Sequence, residues 1–497
     1  MSEQQLFYPP RLNSNVVRLV QWVTPALARW LYWFELDLST TDQEKLEQLA
    51  SQRVLLMPNH PTFHDPMVMF ALSAQLQQSF HYLAALETFE RTSTMFLIGP
   101  LLTPLRWLAN AASFQKGLRW FFQSLGMYSI RRGLPDRQSV VQTLELLQQD
   151  ACHLVIFPEG GCSFQNDQVM PFRTGGIDLA FRTLTRLAKQ TPDPPDLIVQ
   201  PIAIKYQYTQ DMQPVIEACL NRLEHALDLT PTLGRDAYQR LRLISEAIVS
   251  RLEHEYGLSA ATDRAIASVE SSPTEATSVD ALDSTTKSIK DMAPHDDVDT
   301  ANHGIDLDAE QNASLNNRIN ALRQHVIAAC EAQLNLPPSN DLVRERVYRL
   351  QHYLQRQQDS MHEAEPDAAN NTERVELSWP PELITKTLSR LLNFDAIYDG
   401  YVRKLPTPER FLDTLIRLER EIFEIDQPPP KSFRQAKIML GEPINLKDYL
   451  SAYQGDRATT VEQVVTQIQD SVQTQLDRYN ELNQRASEYS ELSASQP

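Results

Sequence analysis

An α/β fold carrying a large helical addition is predicted for this 497-residue chain from three observations. Short apolar, often β-branched runs alternate with helix-period segments through residues 1–213, the pattern of a sheet covered by helices. Helical spacing then dominates over 214–430, and a strand-then-turn pattern returns at AKIMLGEPINL (436–446). Charge divides at the same place: residues 1–213 carry 17 Lys+Arg against 18 Asp+Glu, the remainder 29 against 46. At roughly 150 residues per domain the length allows about three structural units.

Taken in order, residues 1–50 read as an amphipathic N-terminal helical region. Residues 51–213 hold the predicted strands RVLLM (53–57), HYLAAL (81–86), MYSI (127–130), HLVIF (153–157) and LIVQPIAIKY (197–206). Segments such as DRQSVVQTLELLQQD between them have the three-to-four apolar spacing of helices. Within 214–430, residues 214–256, 315–357, 380–396 and 408–425 read as helical. Residues 258–312 carry 12 acidic and 3 basic side chains with no aromatic, which reads as a disordered acidic linker. Residues 431–497 read as a return to the α/β unit, with a last helix over about 461–482.

Composition excludes several classes. Apolar residues at 42% and charged residues at 22% fit a globular protein and not a collagen-like or wholly disordered one. The net charge of -18 argues against a nucleic-acid partner. Cys152, Cys162, Cys219 and Cys330 are scattered, with neither a disulfide framework nor a CxxC metal pattern, and the start MSEQQLFYPPRLNSN lacks the features of a signal peptide. A cytoplasmic setting is expected. Residues 15–38 and 95–122 are apolar and aromatic, but Arg18 and Arg29 interrupt the first and Pro100, Pro104 and Arg106 the second, so neither reads as a span. Trp22, Trp30, Trp33, Trp107 and Trp120 beside arginines suit helices lying at a bilayer interface, and equally suit core helices.

Three clusters can carry chemistry. In NHPTFHD, His60 and Asp65 are five apart, which on one continuous helix would separate them by about 140°. Pro61 supplies a bend, because it disfavours helical backbone before it and suits the first helical turn after it. Asp65 then reaches back to one imidazole nitrogen and leaves the other as a general base. Helix capping by the pair is the plainer alternative. His60 and His64 also have the i, i+4 spacing of a metal pair, disfavoured by Pro61 and by the missing Glu of HExxH. In LVIFPEGGCSF a strand ends before Glu159, and Gly160 and Gly161 allow close backbone approach by an anion. Cys162 and Ser163 stand there as rival nucleophiles without a GxSxG elbow. Arg131 and Arg132 in GMYSIRRG, Arg173 in MPFRTGG and, more weakly, Lys205 are basic residues at or near strand ends, suited to a phosphate clamp.

In this order the motifs resemble those of the glycerophospholipid acyltransferase family, the PlsC-like, lysophosphatidate acyltransferase type. NHPTFHD resembles the family's HX4D block, GMYSIRRG its second block, FPEGG its FPEG block and IVQPIAI its fourth. The likeness covers roughly residues 50–210, and GEPINLKDYL resembles what normally follows the fourth block closely. It implies a PlsC-like sheet flanked by helices and interrupted by a large, mainly α-helical insertion. It implies an O-acyltransferase of lipid metabolism, resembling 1-acylglycerol-3-phosphate acyltransferases of phospholipid biosynthesis. His60 and Asp65 would be the catalytic pair, with Arg132, Glu159, Gly160, Gly161 and Arg173 binding substrate and no metal. The partners would be acyl carrier protein or a CoA thioester as co-substrate, with no further cofactor, a lysophospholipid acceptor and a membrane surface met peripherally. The family's FPEG block usually continues Thr-Arg-Ser, where this chain has Gly161, Cys162 and Ser163, removing a basic side chain. The alternative is an inactive acyltransferase fold serving as a membrane-associated scaffold.

Overall fold

The computed structural model describes residues 7–90, 112–132, 136–191, 193–230, 235–258, 307–363, 379–394, 397–425 and 428–494. Among them one sheet is built from β1 (Phe34–Leu38), β2 (Arg53–Pro58), β3 (His81–Ala85), β4 (Met127–Ile130), β5 (His153–Val155), β6 (Leu197–Tyr208), β7 (Arg434–Leu440) and β8 (Ile444–Asn445). The order is β1-β7-β6-β2-β5-β3-β4, with β8 also on β6. The strands from β6 to β4 run parallel, so their C-terminal ends share one edge. β7 runs antiparallel to β6, and β1 parallel to β7.

β6 is buried along ten successive residues, as a central strand covered on both faces must be. Pro201 within it has no N–H to give. Opposite it the partner strand breaks between Leu440 and Ile444, and the Gln200 side chain bonds Gly441 O. The pleat sends alternate β2 residues to different cores. Leu55 and Met57 face α6 (Arg137–Gln148), α7 (Gly175–Leu187) and α16 (Arg457–Ala494), whereas Val54 and Leu56 face α1 (Ser14–Trp30) and α3 (Asp65–Gln75). The remaining elements of this unit are α2 (Thr40–Gln48), α4 (Glu87–Glu90), α5 (Ala112–Ser124) and, after β8, α15 (Leu450–Gly455).

The chain leaves the sheet after Tyr208 and rejoins it at Arg434, its direct antiparallel partner. The insertion thus emerges from the tip of one β-hairpin, which leaves the sheet intact. It consists of α8 (Gln213–Ala226), α9 (Ala237–Glu255), α10 (Leu307–Gln333), α11 (Val343–Glu363), α12 (Pro381–Phe394), α13 (Tyr401–Lys404) and α14 (Pro408–Phe423). Among the described residues its buried hydrophobic core runs from Met212 to Leu418, and of the sheet Tyr208, at the end of β6, packs against it.

The α/β class with its helical insertion is therefore as expected; the last helix, expected over about 461–482, runs over Arg457–Ala494, and two further elements differ. Residues 34–38, read as part of a helical N-terminal region, form an edge strand, because FELDL alternates in side-chain direction and β7 offers it a partner. Residues 307–312, read as linker, already belong to α10; residues 259–306 lie outside the described residues. Residues 95–111 of the second aromatic segment, Trp107 included, also lie outside them.

Candidate functional site

The site forms where the parallel strands end. β2 delivers Asn59 and His60, β5 runs on into Phe157, Pro158 and Glu159, and β4 leads to Arg132. Asn59 is buried and acts as a surrogate strand residue: its Oδ1 accepts from Ile204 N at 2.7 Å and its Nδ2 donates to Ile204 O at 3.1 Å. The sheet bonding of β2 is thereby prolonged by one side chain. His60 N donates to Glu159 Oε1 (2.7 Å) and His60 O accepts from Ser163 N (2.8 Å), so the two loops are held by one bond to a carboxylate and one between main chains.

Pro61 bends the chain, α3 starts at Asp65, and the carboxylate returns over the turn to His60 Nδ1 at 2.7 Å. Asp65 is fully buried, and four polar groups surround its two oxygens. Oδ2 faces His60 Nδ1 and accepts from Thr62 N at 2.8 Å; Oδ1 accepts from Tyr206 Oη at 2.7 Å and from Thr62 Oγ at 3.0 Å. Held on both sides, it fixes the ring orientation and leaves Nε2 as the group to exchange a proton. Burial depresses the protonation of His60, but the neighbouring Cys162 sulfur and the bond to Asp65 outweigh it and hold its pKa well above the ordinary histidine value. Phe157 stacks on the ring at 4.4 Å. Cys162 Sγ lies 3.5 Å from Nε2 and 3.7 Å from Nδ1. A sulfur on the Nε2 axis would be farther from Nδ1 by nearly the width of the ring, so Cys162 rests beside the imidazole instead of in line with it.

His64 does not share this space. Its ring is edge-on to Tyr32, and Arg434 Nη2 is 3.3 Å from its Nδ1; burial first, then the Arg434 charge, lowers it to about 3. Glu159 points inward, and its carboxylate receives His60 N and, at 3.4 Å, Met170 N, while burial raises it to about 7. It works on the loop's shape through the main chain. Gly160 adopts φ +71°, and a Cβ there would meet Arg173 Nε at 2.5 Å. Arg132 and Arg173 converge on one aromatic ring, at 4.5 and 5.5 Å from its centroid. Arg131 pairs with Asp136 (3.6 Å) and Lys205 with Asp167 (3.5 Å), away from that cluster.

Sequence reasoning missed four neighbours. Tyr206 and Thr62 brace Asp65; Tyr206 is the polar aromatic at the end of the apolar fourth block, a local signal that was there to use. Arg344 and Tyr348 come from α11, and nothing in VRERVYRL announces their destination. Residues 38–205 match the family model described as Acyltransferase. No curated protein matches the chain.

Proposed function

Because residues 38–205 are a PlsC-like domain of the glycerophospholipid acyltransferase family, we propose that this acyltransferase moves a fatty acyl group from a thioester of acyl carrier protein or CoA to a hydroxyl of a lysophosphatidate-like glycerol lipid. The observation that carries the reading is the His60 imidazole, tied at 2.7 Å to a buried, fully bonded carboxylate at the sheet edge. His60 Nε2 takes the proton of the acceptor hydroxyl, whose oxygen attacks the thioester carbonyl. The tetrahedral intermediate collapses, the C–S bond breaks, and the departing thiolate receives the proton from His60. Asp65 orients the ring and stabilises the imidazolium; Arg132 and Arg173 supply positive charge for the acceptor head group. No acyl-enzyme forms. The position of Cys162 beside the ring favours this direct route over one through a thioester on the protein.

Labelled acyl thioester supplied with lysophosphatidate should yield diacylated product. Cys162→Ala should keep activity within about threefold, since a neighbour that is not the nucleophile is not required for the chemistry. An acyl-Cys162 adduct found by mass spectrometry, or no transfer to any glycerol lipid, would overturn the mechanism, the second outcome in favour of a scaffold.

The lipid must be reached from a cytoplasmic, peripheral position. On α1, Val17, Gln21, Thr24 and Ala28 face inward, whereas Leu19, Trp22 and Trp30 lie 64, 80 and 79% exposed, near Arg18 and Arg29. Trp33 and, on α5, Trp120 add to the exposed aromatics. No described helix is long and apolar enough to cross a membrane. Such a face suits the headgroup boundary of a bilayer. Trp22→Ser/Trp30→Ser should cut co-sedimentation with phosphatidylglycerol-containing vesicles by about tenfold or more, given the apolar area removed. Unchanged sedimentation would exclude this face.

A further inference from the structure

The loop after FPEG is shaped from outside the catalytic unit. Arg344 Nη1 donates to Glu159 O (3.3 Å) and Gly161 O (3.1 Å), and its Nη2 donates to Cys162 O (3.3 Å). One turn on, Tyr348 Oη donates to Gly160 O and accepts from Arg132 Nη1, both at 3.2 Å. Its ring is the one on which Arg132 and Arg173 converge. Both α11 side chains are buried, at 6 and 4% exposure, so this is a packed interface and not a loose touch. Gly161 has a reason here: a Cβ at that position would meet Tyr348 Oη at 2.6 Å. A residue with a side chain there would drive α11 off the loop.

The arrangement gathers three guanidiniums, Arg132, Arg173 and Arg344. Glu87 lies 3.4 Å from Arg132, and Glu345 acts on Arg173. Arg173 is depressed below its ordinary value by burial first; Tyr348 and Glu345 oppose this, and Arg344 and Arg132 add to it by repulsion. Cations packed this closely are stabilised by an anion bound among them. Arg344 brings a positive charge to this loop from more than 180 residues further along the chain.

We propose that helix α11 of the insertion is part of the acceptor site, Tyr348 setting the aim of Arg132 and Arg344 holding the 159–163 loop, and that it makes the enzyme select an acceptor with a phosphate head group over a neutral one. This rests on the acyl-transfer reading above for its substrate and deepens it. Arg344 and Tyr348 are positioning residues, acting through Arg132, Arg173 and the loop amides.

Kinetics of the full-length chain with lysophosphatidate and with monoacylglycerol test it, together with calorimetric binding of sn-glycerol 3-phosphate. Arg344→Gln should raise KM for lysophosphatidate about tenfold, with kcat and the donor KM within about threefold, and should weaken glycerol 3-phosphate by a similar factor, the size expected when the loop loses its charge-assisted bonds to Arg344. Tyr348→Phe keeps the ring and the packing, and should give about a threefold rise that monoacylglycerol does not share. It serves as the test even if Arg344→Gln unfolds. Equal losses on both acceptors, or no change on either, would reduce α11 to a structural strut and overturn the proposal. Should the wild type transfer no acyl group while glycerol 3-phosphate binding still depends on Arg344, the reaction assignment fails and the anion site stands. Transfer with head-group binding indifferent to both variants is the converse.

Discussion

His60→Ala should lower kcat with lysophosphatidate by about a thousandfold, in the middle of the range for removal of a positioned general base. The same residue sets the pH dependence. Its pKa stands above the ordinary histidine value, and only the unprotonated ring accepts a proton, so kcat/KM should climb with pH through a midpoint on the alkaline side of 6.5. Asp65→Asn removes a carboxylate that raises the pKa and also the acceptor that fixes the tautomer. Its profile should shift to lower pH while the plateau drops by about a hundredfold or more. Cys162→Ala should shift the midpoint in the same direction with the plateau nearly kept. A midpoint insensitive to Asp65→Asn would remove His60 from the proton transfer. The shift has a stability consequence of definite sign: a histidine whose folded pKa lies above its unfolded value stabilises the fold below the unfolded pKa, and that contribution disappears as pH rises through the folded one.

Arg410→Ala should cost about 3–5 kcal/mol, the usual consequence of stranding a buried charge. Arg410, on α14, donates to Asp167 Oδ2 at 2.8 Å and to Tyr401 O at 2.6 Å. Asp167 also meets Lys205 at 3.5 Å and Tyr401 Oη at 2.9 Å, in a network that joins the insertion to the loop following the FPEGG block. Burial would raise the Asp167 pKa, but Lys205 and Arg410 lower it below its ordinary value of 3.8. Its contribution is therefore present above 3.8 and lost on acidification through the lower folded pKa. Without Arg410 the folded pKa rises, and the acid limb of stability should move towards neutrality. Urea titration with hydrogen exchange measures both effects: the midpoint falls, and protection falls first in α13 and α14. Asp167→Asn combined with Arg410→Met and Lys205→Met should be milder than Arg410→Ala alone, because all three charges of the network are then removed together. A loss below about 0.5 kcal/mol would show that the insertion docks without this network.

Much of the fold was legible because its signals are local. Five of the eight strands of the sheet announce themselves as short apolar runs between turn residues, and the helices of 380–396 and 408–425 by their period. The bend at Pro61 is legible for the same reason, since the preference of a proline is intrinsic to the residue. From it the meeting of His60 and Asp65 follows within six residues. The four blocks in order, and the confinement of the acidity to the second half, likewise need only the string of letters.

Tertiary structure decided the rest, wherever a residue's partner lies far along the chain. FELDL is a strand because β7, about 400 residues away, offers an edge to pair with. Glu159 turns inward because His60 N and Met170 N need an acceptor where it is buried. Lys205, read with the phosphate cluster, belongs to Asp167 and the interface with α14. The insertion, from the sequence only an interruption of unknown purpose, returns to the loop of the FPEGG block through Arg344 and Tyr348. Periodicity and propensity report a residue's immediate neighbours, which is enough to specify elements and the order of motifs. Which distant side chain fills a buried donor, or stacks on an arginine, is settled only when the packed elements exclude water and every polar group left inside must find its partner.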